Sequence, residues 1–302
     1  MNYEQRIRNL SVPNGKIDVV LDTDAYNEID DQFAIAYMLK SCDKLNTLAL
    51  YAAPFYNSNS DGPADGMEKS YDEILKLLKL AEKDLPVLKG ADRYLPDEKT
   101  PVVSAAALDL ARKARGYSPE NPLYVVAIGA ITNIASAILI EPAVKENTVV
   151  VWLGGHASHY HDTAEFNMKQ DIAAARVVMG SGVPFVQLPC MGVVSAFTVS
   201  KQELEYWFVG KNPLSDYLAQ NTINEAESYA HGRAWTRVIW DVTAVAWLLN
   251  DNNRFMESRI TATALPGYDC KYEPENSDCP MCYVYNIKRD ELLNNLITTL
   301  NT

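Results

Sequence analysis

The sequence predicts an α/β fold: a single domain over residues 1–302, built on a mostly parallel central sheet flanked by helices, with a more helical C-terminal third. Two observations carry this. Short apolar, β-branched runs alternate with polar loops and then with segments of helical spacing through the first two-thirds, which is the pattern of βα units. No linker, internal repeat or low-complexity tract breaks the 302 residues, a length that one hydrophobic core can fill.

The first unit reads as a strand from Ile17 to Leu21, an acidic loop through Asp24, and a helix from about Asp30 on which Phe33, Ala34, Tyr37 and Met38 share a face. A second strand runs from Leu45 to Tyr51. After a long polar loop, Tyr71, Ile74, Leu75 and Leu78 line up on a second helix. Further strands are expected at Leu123 to Ile128, Thr148 to Leu153 and Val183 to Leu188, each followed by glycine or polar residues and a helix candidate. From about Lys201 helices dominate, with one around Trp240 to Leu249 and a closing one from Asp290, and an apparent strand at Cys282 to Ile287. In open parallel sheets ligands collect beyond the carboxyl ends of strands, so the acidic loop sits where a site is expected.

Composition narrows the partners. Hydrophobic residues at 48% and charged residues at 22% describe a folded, water-soluble chain. A net charge of -12, with no dense Lys/Arg cluster, argues against nucleic acid. No apolar window is long enough to cross a bilayer, and no apolar stretch follows Met1 to Arg6 as in a secretory leader, so a cytoplasmic address and no membrane partner are expected. Five cysteines, an odd number, suit a reducing compartment.

Four aspartates and one glutamate lie between Asp22 and Asp31, directly after a buried strand. Crowded carboxylates raise one another's cost of ionisation, which a cation relieves. Carboxylate oxygens in an irregular loop favour a hard divalent ion, calcium over magnesium. The plainer reading makes Asp30 a helix N-cap and Asp31 a first-turn acid, and leaves Asp22 and Asp24 unexplained.

The segment V-V-L-D-T-D-A-Y-N-E-I-D-D-Q-F-A-I-A at 19–36 resembles the D-x-D-x-x-x-D-D signature of the nucleoside hydrolase family, the inosine-uridine preferring N-ribohydrolases, with two residues added in the loop. V-V-A-I-G-A-I-T-N-I at 125–134 is similar to the family's strand and G-P-L-T-N turn, and A-E-F-N at 164–167 to its ribose-binding segment. L-P-V-L-K-G-A at 85–91 and W-D-V-T-A-V-A at 240–246 complete a series in the family's order across nearly the whole chain.

That resemblance implies a Rossmann-like fold and calcium-dependent hydrolysis of the N-glycosidic bond of a nucleoside or riboside, giving ribose and free base. The implied calcium ligands are Asp24, Asp31, the backbone carbonyl of Ile128 and Asp241, with Asp24 also the general base toward a calcium-held water. Asp30, Glu165, Asn167 and Asn57 are the implied ribose contacts, and Asn27 joins them from its place in the loop. His159 stands where the family has an asparagine that contacts the sugar. Trp240 replaces the histidine that many members use as general acid, and resembles the base-stacking ring of purine-preferring members. His231 and Arg233 are nearby candidates for the proton donor. Asp22 is expected to hold the loop through backbone N–H groups. Purine salvage and a homodimer or homotetramer follow from the same resemblance.

Competing readings exist for several of these residues. Asp241 could be an ordinary helix N-cap, Trp240 a core residue beside Trp235 and Trp247, and A-E-F-N a turn before a helix at Asp171. His156-x-x-His159-x-His161 has transition-metal spacing, and Cys279-x-x-Cys282 with Cys270 resembles part of a zinc site. The rival functions are a haloacid-dehalogenase-like phosphatase, which also begins with a strand and D-x-D, and a non-catalytic nucleoside or sugar binder.

Overall fold

The computed structural model describes residues 1–302, apart from the side chains at 277 and 278. Its ten strands are β1 Ile17–Thr23, β2 Leu45–Ala52, β3 Val87–Lys89, β4 Leu123–Ala127, β5 Thr148–Leu153, β6 Phe185–Leu188, β7 Thr198–Ser200, β8 Thr236–Val238, β9 Met256–Thr263 and β10 Asn276–Ile287. Eight form one sheet in the order β3-β2-β1-β4-β5-β6-β10-β9, parallel except for the antiparallel edge pair β9/β10. The strand assignments made from β-branched runs hold, and the fold class with them.

Every residue of β4 and β5 is buried, because helices cover both faces of the sheet. Alternation along β1 divides two apolar layers. Val19 and Leu21 face one layer, with helices Asp30–Lys40, Val242–Leu248 and Arg289–Leu300, and Val20 faces the other, with helices Ala105–Ala114, Thr132–Ile140 and Ile172–Gly180. Helix Asp30–Lys40 is buried from Asp30 to Leu39, not on one face only, because other helices pack over its outer side.

The C-terminal third holds long helices, Pro213–Ala230 and Arg289–Leu300 among them, yet also three strands, β8, β9 and β10. Of these, only part of β10 is readable from the sequence. β9 is an edge strand with Glu257, Ser258, Arg259 and Thr261 along it, and such polar edge residues mask the apolar signal. β7 and β8 pair as a small antiparallel unit whose exit delivers Trp240 and Asp241, with the Ile239 N–H donating to the Phe197 carbonyl at 3.0 Å. No helix among the described residues is long and apolar enough to cross a membrane.

β2 and β3 lie on one side of β1, and β4, β5 and β6 on the other. The sheet's direction of winding therefore reverses between β1 and β4, and a crevice opens there at the strands' carboxyl ends.

Candidate active site

Each carboxylate reaches the crevice by a distinct local device. Asp22 and Thr23 end β1, and Asp24 follows. Asp30 and Asp31 open helix Asp30–Lys40, at the positive end of its dipole. The capping position is Ile29, so Asp30 is not the N-cap. Asp241 does occupy the N-cap position of helix Val242–Leu248, but its side chain makes no capping bond. It turns inward instead. One oxygen from each of Asp30, Asp31 and Asp241 lies within 4.8 Å of the others. The Thr23 hydroxyl donates to Asp31 at 2.5 Å, while neither oxygen of Asp24 has a hydrogen-bond partner.

Asp22, Asp24, Asp30, Asp31 and Asp241 are all 4% exposed or less. Burial pushes Asp22 and Asp31 up to about 7. Asp24 is raised further by burial and the Asp31 charge, Asp30 by burial and Glu28, and Asp241 by burial and the Asp30 charge. Buried carboxylates without donors are costly unless a cation or protons offset them. The unpaired oxygens of Asp24 beside the converging carboxylates fit a hard divalent cation.

Asp22 stands apart from this convergence. Its Oδ1 accepts the Asn133 amide at 2.8 Å, not backbone N–H groups as expected. Asn133, from the T-N pair of the 125–134 segment, also accepts the Ala91 N–H at 2.8 Å and so ties β1 to the turn after β3. The Ile128 N–H donates to the Asp22 carbonyl at 2.9 Å, and the Ile128 carbonyl accepts the Asn167 amide at 3.2 Å. Gly129 follows. A Cβ there would stand 2.9 Å from Asp24 Oδ1. Gly129→Ala is expected to displace Asp24 and, if the cluster holds a divalent cation, to weaken its affinity by ~10- to 100-fold, the range for residues that orient a metal ligand, as read by titration with calcium.

Beside the carboxylates lies a cavity of about 220 Å³ lined by Asn27, Asp30, Asn167, Trp240 and Asp241 among others. A larger groove, about 780 Å³, lies at the amino ends of β1 and β4 around Lys16 and Tyr117, at the other end of these strands from the carboxylates. Trp240 packs on the core and lines the cavity as well, whereas Trp247 is fully buried and the Trp235 indole N–H donates to Glu227 at 3.1 Å. Glu165 lines the cavity, yet its carboxylate accepts the N–H groups of Gly155, Asn167 and Met168 at 2.8–2.9 Å and caps helix Phe166–Gln170. Asn167 Nδ2 bridges the carbonyls of Ile128 and Leu153, at 3.2 and 3.1 Å. The Asn57 amide donates to Asn27 Oδ1 at 2.6 Å, so Asn57 steadies Asn27 from outside the cavity wall.

Besides Asn57, three expected residues are not brought there. His159 is exposed beside Gly192, and the histidine on the cavity wall is His156. Gly155, at φ +77°, turns the chain after β5, and His156 then lines the cavity while Ser158 and His159 are exposed. His231 and Arg233 are exposed in the turn after helix Pro213–Ala230, where His231 lies 3.0 Å from Glu227. Closeness in sequence to Trp240 misleads here, because β8 carries the chain away before it reaches the site.

The two decoys also separate. Among the described residues neither the three histidines nor Cys270, Cys279 and Cys282 converge as metal ligands; His161 pairs with Asp162 at 2.7 Å, and all five cysteines are free. Sequence reasoning missed Glu28, His156, Phe166, Cys190 and Met191 on the cavity wall. The available signal was position: Cys190 and Met191 come within three residues of the end of β6, as His156 does of β5.

Known proteins agree with this architecture. A family model for inosine-uridine preferring nucleoside hydrolases matches residues 19–273. The pyrimidine-specific ribonucleoside hydrolase RihA of Citrobacter koseri is 25% identical over 210 residues, covering 60% of this chain and 66% of its own, so the match spans about two-thirds of that relative. Two solved structures, each 18% identical, share the fold. A plant nucleoside hydrolase, PpNRh1, aligns with a TM-score of 0.74 over 96% of this chain and 100% of its own. The purine-preferring ribonucleoside hydrolase from Gardnerella vaginalis aligns with a TM-score of 0.73 over 94% and 98%. With the family match running from β1 through the acidic loop and beyond β9, the chain belongs to the inosine-uridine preferring nucleoside hydrolase family.

Proposed function

We propose that the protein hydrolyses the N-glycosidic bond of a ribonucleoside to ribose and free base, with calcium held by Asp24, Asp31, the Ile128 carbonyl and Asp241. One observation carries this reading: the unpaired, fully buried carboxylate of Asp24 stands with Asp30, Asp31 and Asp241 beside a small cavity at the sheet's switch point.

A divalent cation held by Asp24, Asp31, the Ile128 carbonyl and Asp241 would lower the pKa of a water molecule there. Asp24 takes the proton as the water oxygen bonds to the anomeric carbon, and the base nitrogen leaves with the glycosidic electron pair and is protonated from solvent. Asp30 and Asn27 bind the vicinal hydroxyls, since a carboxylate accepts from both and an amide also donates. Their fixed negative charge and dipoles favour the positive charge that develops on the sugar. Glu165 acts through the backbone, fixing Asn167 against the ends of β4 and β5. Trp240 offers the base a flat apolar face, which supports a purine preference. The same reading carries a cytoplasmic role in purine salvage, where five free cysteines stay reduced, and a homodimer or homotetramer.

The test is a panel of nucleosides and p-nitrophenyl riboside, assayed for reducing sugar with calcium present. Ribose release is expected. Binding without release would make the protein a nucleoside sensor, and phosphate release from phosphomonoesters would make it a phosphatase. Among the described residues no Lys or Arg lines the cavity. Nucleoside 5′-monophosphates are therefore expected to show kcat/KM about 100-fold below the parent nucleosides, as like-charge contact costs several kcal/mol.

A further inference from the structure

We propose that a second pocket, which shares Asn27 and Glu28 with the catalytic cavity, binds a neutral sugar or polyol of monosaccharide size. The inference goes beyond the hydrolase reading, and its test reads binding instead of turnover, so either can fail alone.

The pocket, about 330 Å³, lies where the loop after β1 meets helices Asp30–Lys40, Pro63–Leu80 and Pro213–Ala230. That volume falls at the lower end of small-molecule pockets, ~300–1,000 Å³. Two buried polar side chains are built into its wall. Glu73, 5% exposed, accepts the Tyr217 hydroxyl and lies 3.5 Å from Lys76 Nζ. Gln32, 4% exposed, accepts the Asn221 amide on Oε1 at 2.8 Å, while its own NH2 has no hydrogen-bond partner among the described residues. A buried amide donor is costly until something accepts from it, and the pocket is the space in which a ligand can do so.

The charges around the wall already have partners. Lys76 serves Glu73, and the guanidinium of Arg237 is shared by Glu28 at 3.1 Å and Glu225 at 3.4 Å. An anion would meet three carboxylates there, and an ammonium group would have to compete with the cations in place. What stays open is a mixture of neutral groups: the Gln32 NH2 as donor, the Asn221 side-chain carbonyl as acceptor. A hydroxyl both donates and accepts, so a ring carrying several of them satisfies such a mixture without bringing a charge. Tyr26, 45% exposed, and Tyr217 add ring surface for the C–H edges of a sugar, although Lys76 covers one face of Tyr217 at 4.0 Å. Among the described residues lining the pocket Ile29 alone is aliphatic, so a flat base finds no apolar slot.

Saturation-transfer NMR and calorimetry test this on the calcium-loaded protein with D-glucose, D-ribose and myo-inositol. At least one is expected to bind with a Kd no weaker than about 10 mM, the scale for about ten non-hydrogen atoms at modest ligand efficiency. Asn221→Leu, which removes the partner of Gln32, and Tyr26→Ala, at an exposed position that keeps the test readable if the first variant misfolds, should each weaken binding about fivefold, the scale of one hydrogen bond. Trp240→Leu, on the catalytic cavity and not on this pocket, should leave it unchanged. No sugar with a Kd at or below that value, or binding lost in Trp240→Leu and kept in both pocket variants, would overturn the site. Binding of putrescine, a diamine, or of adenine, a flat base, where no sugar binds would overturn the ligand class.

Discussion

Asp24→Asn is expected to lower kcat for ribose release by ~10³-fold or more while raising the melting temperature of the calcium-free protein by a few degrees. The two effects share a cause. Asp24 is fully buried with no donor on either oxygen, beside other carboxylates. Without a cation that arrangement costs stability, and an amide in its place removes a charge and supplies a donor. On the proposed mechanism the same substitution also removes the group that accepts the water's proton and one ligand of the ion. Steady-state kinetics and a thermal scan on one preparation check both halves. A merely structural Asp24 would lose stability together with activity.

Chelation carries the second large effect, and its pH dependence has a definite sign. Asp22 and Asp31 titrate near 7 in the folded chain, and Asp24, Asp30 and Asp241 are raised as well, against 3.8 for an unperturbed aspartate. Between those values the folded chain binds more protons than the unfolded one, so the stability of the calcium-free protein falls as pH rises from about 4 through 7. On the proposed reading calcium takes the place of those protons. Its stabilising increment should therefore be larger at pH 8 than at pH 5.5, and binding near neutrality should release protons. Thermal scans at the two pH values, with chelator and with calcium, measure the increment. An increment independent of pH would mean that the ion binds away from these aspartates.

What could be read from the sequence depended on whether the determinant was local. The acidic loop was readable because four aspartates crowd one strand end and the following helix. Ile128 was readable as the residue between β4 and a glycine, at the strand's carboxyl end. Asp241 was not separable from a helix cap by its own neighbours, since its inward turn depends on helix Asp30–Lys40 lying opposite. The exchange of His159 for His156 turns on one positive-φ glycine, and Asn57 works by holding Asn27, a contact across 30 positions. Glu165 has the residue type of a sugar ligand, yet three backbone N–H groups occupy its carboxylate. Side-chain chemistry alone does not show which acceptors the backbone has already taken.

The central claim is that the carboxylates of Asp24, Asp31 and Asp241 hold a calcium ion on which ribose release depends. Titrating chelator-stripped protein with calcium, while following bound calcium and ribose release together, tests it most directly. One high-affinity ion per chain is predicted, with activity rising in step with its occupancy and both lost in Asp241→Ala. Ribose release that persists in the stripped protein, or calcium that binds without restoring it, would contradict the account.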